Sequence, residues 1–205
     1  MINYALTTNA RVKARIEITV STLDTVIDTM IASVTDFIEQ QCGGRRFKET
    51  TYTNEVYDGS IVGVNPQPLP YLILKNAPIA SISAFEYRNG TRTSPVWTAF
   101  QDDNYEPMNS RGIVKVDLPA GYQNIRVSYV AGYKIDFTDE DNVAVHTLPF
   151  ELSDLAERLV IKRIKRRESE GKSQETLGQS TIAWGAFLED ADKDIITRYK
   201  RVVIA

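Results

Sequence analysis

The sequence predicts an α+β protein in which a bundle of about four helices carries an inserted small antiparallel β domain. Apolar residues recur at helical spacing near both ends of the chain, over 21–42 and 152–167. The long stretch between them alternates apolar and polar residues in short runs separated by Gly, Pro and Asn. Neither apolar stripe can be buried alone, so both ends are expected to pack together. We therefore predict a helical bundle from 1–46 plus 148–205, and a sandwich- or barrel-like β domain over 47–147.

Each helix is predicted from its apolar spacing and its caps. Ser21 offers an N-cap for the second helix, with Asp24 in capping-box position. Gly43-Gly44 is expected to end that helix, and Pro149 to open the third. The four predicted helices cover 9–17, 21–42, 152–167 and 190–203.

The strands are predicted from period-two runs rich in Thr, Tyr, Val and Ile. Turn signals such as Asn89-Gly90 and Ala120-Gly121 separate them. The predicted strands cover 50–57, 71–74, 79–87, 96–100, 113–116 and 125–129.

Composition excludes several function classes. The chain has 205 residues and a net charge of −3, so bulk charge does not favour binding to nucleic acid or to anionic membrane. Cys42 and His146 are the only residues of their types, which excludes an intramolecular disulfide and a zinc site of Cys and His ligands within one chain. No apolar run approaches the roughly 18 residues of a membrane span. We expect no catalytic residue, no cofactor and no metal, and a protein assembled in the cytoplasm.

A basic run in the third helix is the strongest charge feature of the sequence. Arg158, Lys162, Lys165 and Arg166 share one face at helical spacing. This face could contact DNA phosphates or an acidic partner surface. It could equally be a solvated face whose cations favour the C-terminal end of the helix.

Three further features have weaker functional interpretations. The acidic segment 136–141 suggests calcium, but it lacks the central Gly and the final Glu of an EF-hand loop, so a solvated hinge is favoured. His146 stands next to no catalytic motif. Cys42 is predicted to be a small buried apolar residue.

Aromatic residues of the middle region could form a carbohydrate groove, although strand spacing favours packing in the core. Trp184 differs, because Gly178 and Gly185 flank its short segment and suit an arm that docks on a partner. Packing of Trp184 onto its own bundle is the alternative. The aromatic residues of the middle region are Tyr52, Tyr57, Tyr87, Trp97 and Tyr105.

Taken in order, several stretches resemble the long form of the head–tail connector (adaptor) proteins of tailed bacteriophages. The resemblance spans nearly the whole chain, and it depends on the order and spacing of individually weak motifs. The stretches are ARVKAR from Ala10, CGGRRF from Cys42, EVYDG from Glu55, LKNAPIASI from Leu74, IRVSYVAGY from Ile125, and the Leu148-Pro149 entry into a basic helix.

The resemblance implies a non-enzymatic structural protein of the virion neck. It would form a ring, commonly dodecameric, that extends the DNA channel under the portal protein and receives the next neck or tail protein. Packaged DNA would pass in transient contact, and no membrane would be involved. The resemblance places portal docking on the C-terminal segment, at Trp184, Phe187, Ile195 and Tyr199.

Two alternatives stay open at this point. The basic helix over 158–167 could make the protein a DNA-packaging accessory that binds phosphates. In a ring, its basic face could instead pair with acidic residues of the adjacent copy, such as Asp190, Asp192 and Asp194. The β domain could instead be a carbohydrate- or protein-binding module.

Overall fold

The computed structural model of the chain describes residues 4–59, 71–91, 93–167, 174–177, 180–183 and 187–201. Its architecture is α+β, as the sequence predicts, with four helices and two larger antiparallel sheets among the described residues. Internal contacts divide the chain into a helical unit, 1–44 with 135–200, and a β unit, 45–134 with 201–205.

Four helices form the helical unit, and α3 is in contact with each of the others. Helix α2 also contacts α1. Their buried faces carry the apolar residues that recur at spacings of three and four, including Ile27, Ile31, Val34 and Ile38 of α2. The helices are α1 (Asn9–Arg15), α2 (Asp24–Gln41), α3 (Phe150–Arg166) and α4 (Asp190–Tyr199).

The helix ends differ from the predictions where backbone chemistry overrides pattern. The prediction that Ser21 caps α2 is wrong: Leu23 is the N-cap and has no side-chain cap, while the Ser21 carbonyl accepts the Asp24 amide. At the other end the prediction is confirmed. Gly43 adopts a φ of 84°, and the amides of Gly43 and Gly44 donate to the carbonyls of Gln40 and Glu39, which is a Schellman motif.

Helices α1 and α4 are both shorter than predicted, because the backbone leaves the helical conformation just after each of them. Helix α1 ends at Arg15, two residues before Glu17, whose φ is 56°. Helix α4 ends at Tyr199, and Lys200 is extended.

The β unit contains a four-stranded sheet and a three-stranded sheet. The first has the order β1-β7-β3-β4 and the second the order β2-β6-β5, with every pairing antiparallel. The strands are β1 (Thr50–Tyr57), β2 (Tyr71–Ile73), β3 (Ile79–Arg88), β4 (Trp97–Ala99), β5 (Tyr105–Met108), β6 (Ile113–Val116) and β7 (Ile125–Ala131).

Strand β7 is central to the larger sheet, and alternate residues along it are buried. Tyr129 on β7 and Phe85 on β3 are the largest side chains of this core. Strand β5 is missing from the sequence prediction, and it contains Pro107. Pro107 is tolerated there because β5 lies at the edge of its sheet.

Two shorter strands, β8 (Gln174–Leu177) and β9 (Ser180–Ala183), form an antiparallel pair between α3 and α4 in the chain. The sequence analysis predicts no strand after residue 129, so this pair is a difference from that expectation.

Gly132 gives a direct test of the β unit. Its φ is 115°, and a Cβ at this position would lie 2.6 Å from the Lys48 carbonyl. We expect Gly132→Ala to lower the free energy of unfolding by about 2–4 kcal/mol, because it combines backbone strain with a clash against backbone. Chemical denaturation measures this change. The control is Thr53→Ala, which places the same residue type at an exposed position of the same unit. Equal effects of the two substitutions would contradict the geometry.

Candidate functional site

A buried carboxylate joins the C-terminal helix to α3. Asp192 lies in the first turn of α4 and is fully buried. Its two oxygens contact Arg158 Nη1 at 2.5 Å and Lys162 Nζ at 3.0 Å. The same carboxylate accepts the backbone N–H of Glu189 at 3.1 Å, which completes a reciprocal capping box at the start of α4.

The surroundings of Asp192 favour its charged form. Burial acts to raise the pKa of the carboxyl group, but the hydrogen bonds from the Glu189 amide and Lys162, with the charges of Arg158 and Lys162, outweigh it. The net result is a pKa lowered from its ordinary value of 3.8. Lys162 is affected in the opposite sense: burial lowers its pKa, and hydrogen bonds to Glu189 and Asp192 raise it above its usual value.

The ion pairs continue from α3 to α1. Arg158 also contacts Asp154 at 2.9 Å within α3, and Asp154 in turn contacts Arg15 of α1 at 2.5 Å. Glu157 is also buried, and it accepts Arg11 Nε at 2.7 Å. We call this series of alternating charges the charge ladder. Its members are Glu140, Arg11, Glu157, Arg15, Asp154, Arg158, Asp192, Lys162 and Glu189.

The charge ladder divides the basic face predicted from the sequence. Arg158 and Lys162 are bound to carboxylates of the same chain, so the carboxylates considered for a neighbouring copy are partly supplied in cis. Lys165, one turn further along α3, is exposed and has no ion pair among the described residues. Arg166 is half-buried.

The four residues expected to dock on the portal protein do not form one exposed patch. Phe187 packs edge-on against Phe37, with ring centroids 5.5 Å apart, and Arg163 lies over its ring. Ile195 is buried in the helical unit. Tyr199 is half-buried and donates its hydroxyl proton to Glu151. Trp184 lies outside the described residues.

The weaker candidates of the sequence have structural roles. His146 Nδ1 lies 2.9 Å from the Asp136 carbonyl oxygen and 3.1 Å from its backbone nitrogen. The predicted burial of Cys42 is confirmed. Within the described ranges no group of three or more His, Cys, Asp or Glu side chains is arranged to hold a metal ion. No described helix is long and apolar enough to span a membrane.

Aromatic side chains of the β unit pack against its core. Tyr52 stacks on Tyr129 at 5.1 Å between ring centroids, and Tyr87 contacts Phe100 at 5.0 Å. Trp97 instead lies under the guanidinium of Arg126 at 4.5 Å. An open cavity of about 600 Å³ lies beside Tyr87 and Phe100. Its rim carries Thr98, Gln101, Asn104 and Asp117.

The β unit contains a polar cluster that the sequence does not predict. Tyr57 and Tyr129 both donate to Glu55 Oε2, at 2.5 Å and 2.9 Å. Burial is the main reason that the pKa of Tyr57 is raised and that of Tyr129 is raised to about 12. Both phenols stay protonated at neutral pH, so Tyr129 of β7 donates to Glu55 of β1, while Tyr57 donates to Glu55 within β1. Alternation along each strand gave no signal that these side chains meet.

Comparison of the chain with protein-family models and with curated proteins finds no match in either set.

The buried ion pairs of Asp192 predict that two carboxylates of α4 contribute very differently to stability. We expect Asp192→Asn to lower the free energy of unfolding by about 3–5 kcal/mol, since it leaves Arg158 and Lys162 without their buried partner. Asp190→Asn is the matched control, because Asp190 is 96% exposed and pairs with Lys193. Urea denaturation followed by far-UV circular dichroism measures both variants. Similar denaturation midpoints for the two variants would show that the ion pairs of Asp192 contribute little to stability.

Lowering the pH should remove the stabilisation that the ion pairs of Asp192 provide. The pKa values of Asp192 and Asp154 are lowered in the folded chain, so their contribution is complete above the unfolded pKa near 3.8 and is lost as pH falls through the folded values. We expect the gap between the wild type and Asp192→Asn to be largest near neutral pH and to shrink below about pH 4. Denaturation midpoints across this range test the expectation. Parallel profiles for the two proteins would contradict it.

Proposed function

We propose that this chain is a structural head-to-tail adaptor of a phage virion. It forms a ring, dodecameric by the resemblance, that lies under the portal protein, extends the DNA channel and gives a docking platform to the next neck or tail protein. The observation that carries the proposal is the charge ladder. It joins α1, α3 and α4, which come from opposite ends of the chain, and so supports a stiff helical bundle built from both ends.

A ring subunit needs rigidity more than it needs reactive groups. Side-by-side packing of copies requires that each copy present the same surfaces in the same geometry. Two buried carboxylates, Glu157 and Asp192, each bind two cations of other segments and thereby fix the positions of α1 and α4 on α3. The order of motifs that resembles the connector proteins supports the same function.

The charge ladder also argues against the role of DNA-packaging accessory. Arg158 and Lys162 would have to leave Asp192 in order to bind phosphates, which would leave that carboxylate buried and unpaired. The aromatic residues argue similarly against a carbohydrate module. Tyr52, Tyr57, Tyr87 and Tyr105 are packed against the core of the β unit, and their faces are partly covered.

Quantitative mass spectrometry of purified mature virions tests the proposal. The copy number of this chain is measured against the portal protein and the major capsid protein in the same sample. We expect about one copy per portal subunit, because a neck ring matches the portal in number or nearly so. Absence of the chain from virions, or hundreds of copies per particle, would contradict an adaptor function.

A further inference from the structure

The two ends of α3 carry exposed surfaces of opposite charge. The acidic–apolar surface, at the N-terminal end, consists of Asp139, Asp141, Val143 and Phe150. The basic end, at the C-terminal end, consists of Lys165 and Arg167. All six side chains are exposed, and none has an ion pair among the residues that the structure describes. Both surfaces belong to the helical unit.

The acidic–apolar surface leaves unusually large apolar groups in solvent. Val143 is 80% exposed and Phe150 is 71% exposed, and they lie within one short segment. An exposed apolar group rimmed by polar residues is a common feature of interaction sites. Arg11 lies 5.8 Å from the centre of the Phe150 ring and pairs with Glu140, yet most of the ring remains uncovered.

The basic end suits this surface chemically. A guanidinium can stack on an exposed aromatic ring, and the aliphatic parts of Lys and Arg side chains cover apolar groups while their charges face carboxylates. Lys165 and Arg167 therefore offer the cations that Asp139 and Asp141 lack among the described residues.

The two surfaces cannot meet within one copy. Helix α3 has 17 residues, so its ends are about 25 Å apart at the usual rise of about 1.5 Å per residue. That separation is several times the reach of an ion pair. Among the described residues neither surface has an ion-pair partner, whereas a second copy of the chain supplies a complementary surface for each.

We infer that the acidic–apolar surface of one copy binds the basic end of α3 in a second copy. The contact is heterologous, because two different surfaces of the same chain meet, and such contacts close into rings when the rotation between copies allows. The inference rests on the proposed function only for the closure of the ring. The contact itself is a property of the purified chain in solution.

Sedimentation of the full chain at low salt, at concentrations up to about 1 mM, measures this contact. We expect the wild type to associate. Lys165→Glu with Arg167→Glu should weaken association about tenfold or more, and so should Asp139→Lys with Asp141→Lys. Arg111→Glu with Lys200→Glu makes the same change in net charge at two other exposed positions and should leave association unchanged. Circular dichroism checks that every variant is folded.

Mixing the two charge-reversed variants gives the decisive result. These are Lys165→Glu with Arg167→Glu, and Asp139→Lys with Asp141→Lys. Each alone presents like charges at the contact, whereas an alternating mixture restores opposite charges at every contact. We expect the mixture to associate like the wild type. Failure of the mixture to recover, or a wild type that stays monomeric, overturns the inference.

A short DNA duplex separates the contact from nucleic-acid binding. If Lys165→Glu with Arg167→Glu lowers salt-sensitive DNA affinity and leaves self-association unchanged, the basic end binds DNA and the inference is wrong. These outcomes are independent of the copy number in virions. The proposed function can hold with a different contact between copies, and the contact can exist in a chain that virions lack.

Discussion

The charge pattern of α3 is the constraint on which the helical unit depends. Its N-terminal half presents carboxylates, Asp154 and Glu157, to the basic helix α1. One turn later Arg158 and Lys162 face the acidic first turn of α4. Because the sign of the charge changes along α3, α1 and α4 each match one half of it.

The buried residues of the charge ladder are the ones that matter most for the helical unit. Exposed ion pairs contribute little to stability, since water and salt screen them. Asp192 and Glu157 are different, because each is buried and each binds two cations. Removal of a partner from a buried carboxylate leaves an uncompensated charge and is destabilising, so the ion pairs of Asp192 specify the position of α4 on α3. The charge ladder thereby makes α4 a fixed part of the unit.

The sequence predicts the periodic parts of this structure well. The apolar stripe of α2 and the alternation of β7 are strong signals, because burial imposes them directly. Pairings between distant residues are invisible to such patterns. The sequence shows that Asp192 and Arg158 carry opposite charges. It does not show whether they pair within one chain or across two copies. Only the packing of α4 on α3 brings them together within one chain.

Local backbone chemistry accounts for the other differences. Ser21 has the residue type of an N-cap, but its carbonyl rather than its hydroxyl accepts the Asp24 amide. Pro107 excludes a central strand but not an edge strand, so β5 can form at the edge of its sheet. For the candidate site, the sequence predicts which residues are charged and leaves open whether their partners lie in cis.

The central claim is that this chain builds a ring between the portal and the tail. Electron cryomicroscopy of the neck of mature virions, at a resolution that traces side chains, tests it most directly. The account predicts a ring of copies next to the portal, whose density follows α2, α3 and α4 in sequence, with Asp192 between Arg158 and Lys162. A neck whose density is fully explained by other chains would contradict the account.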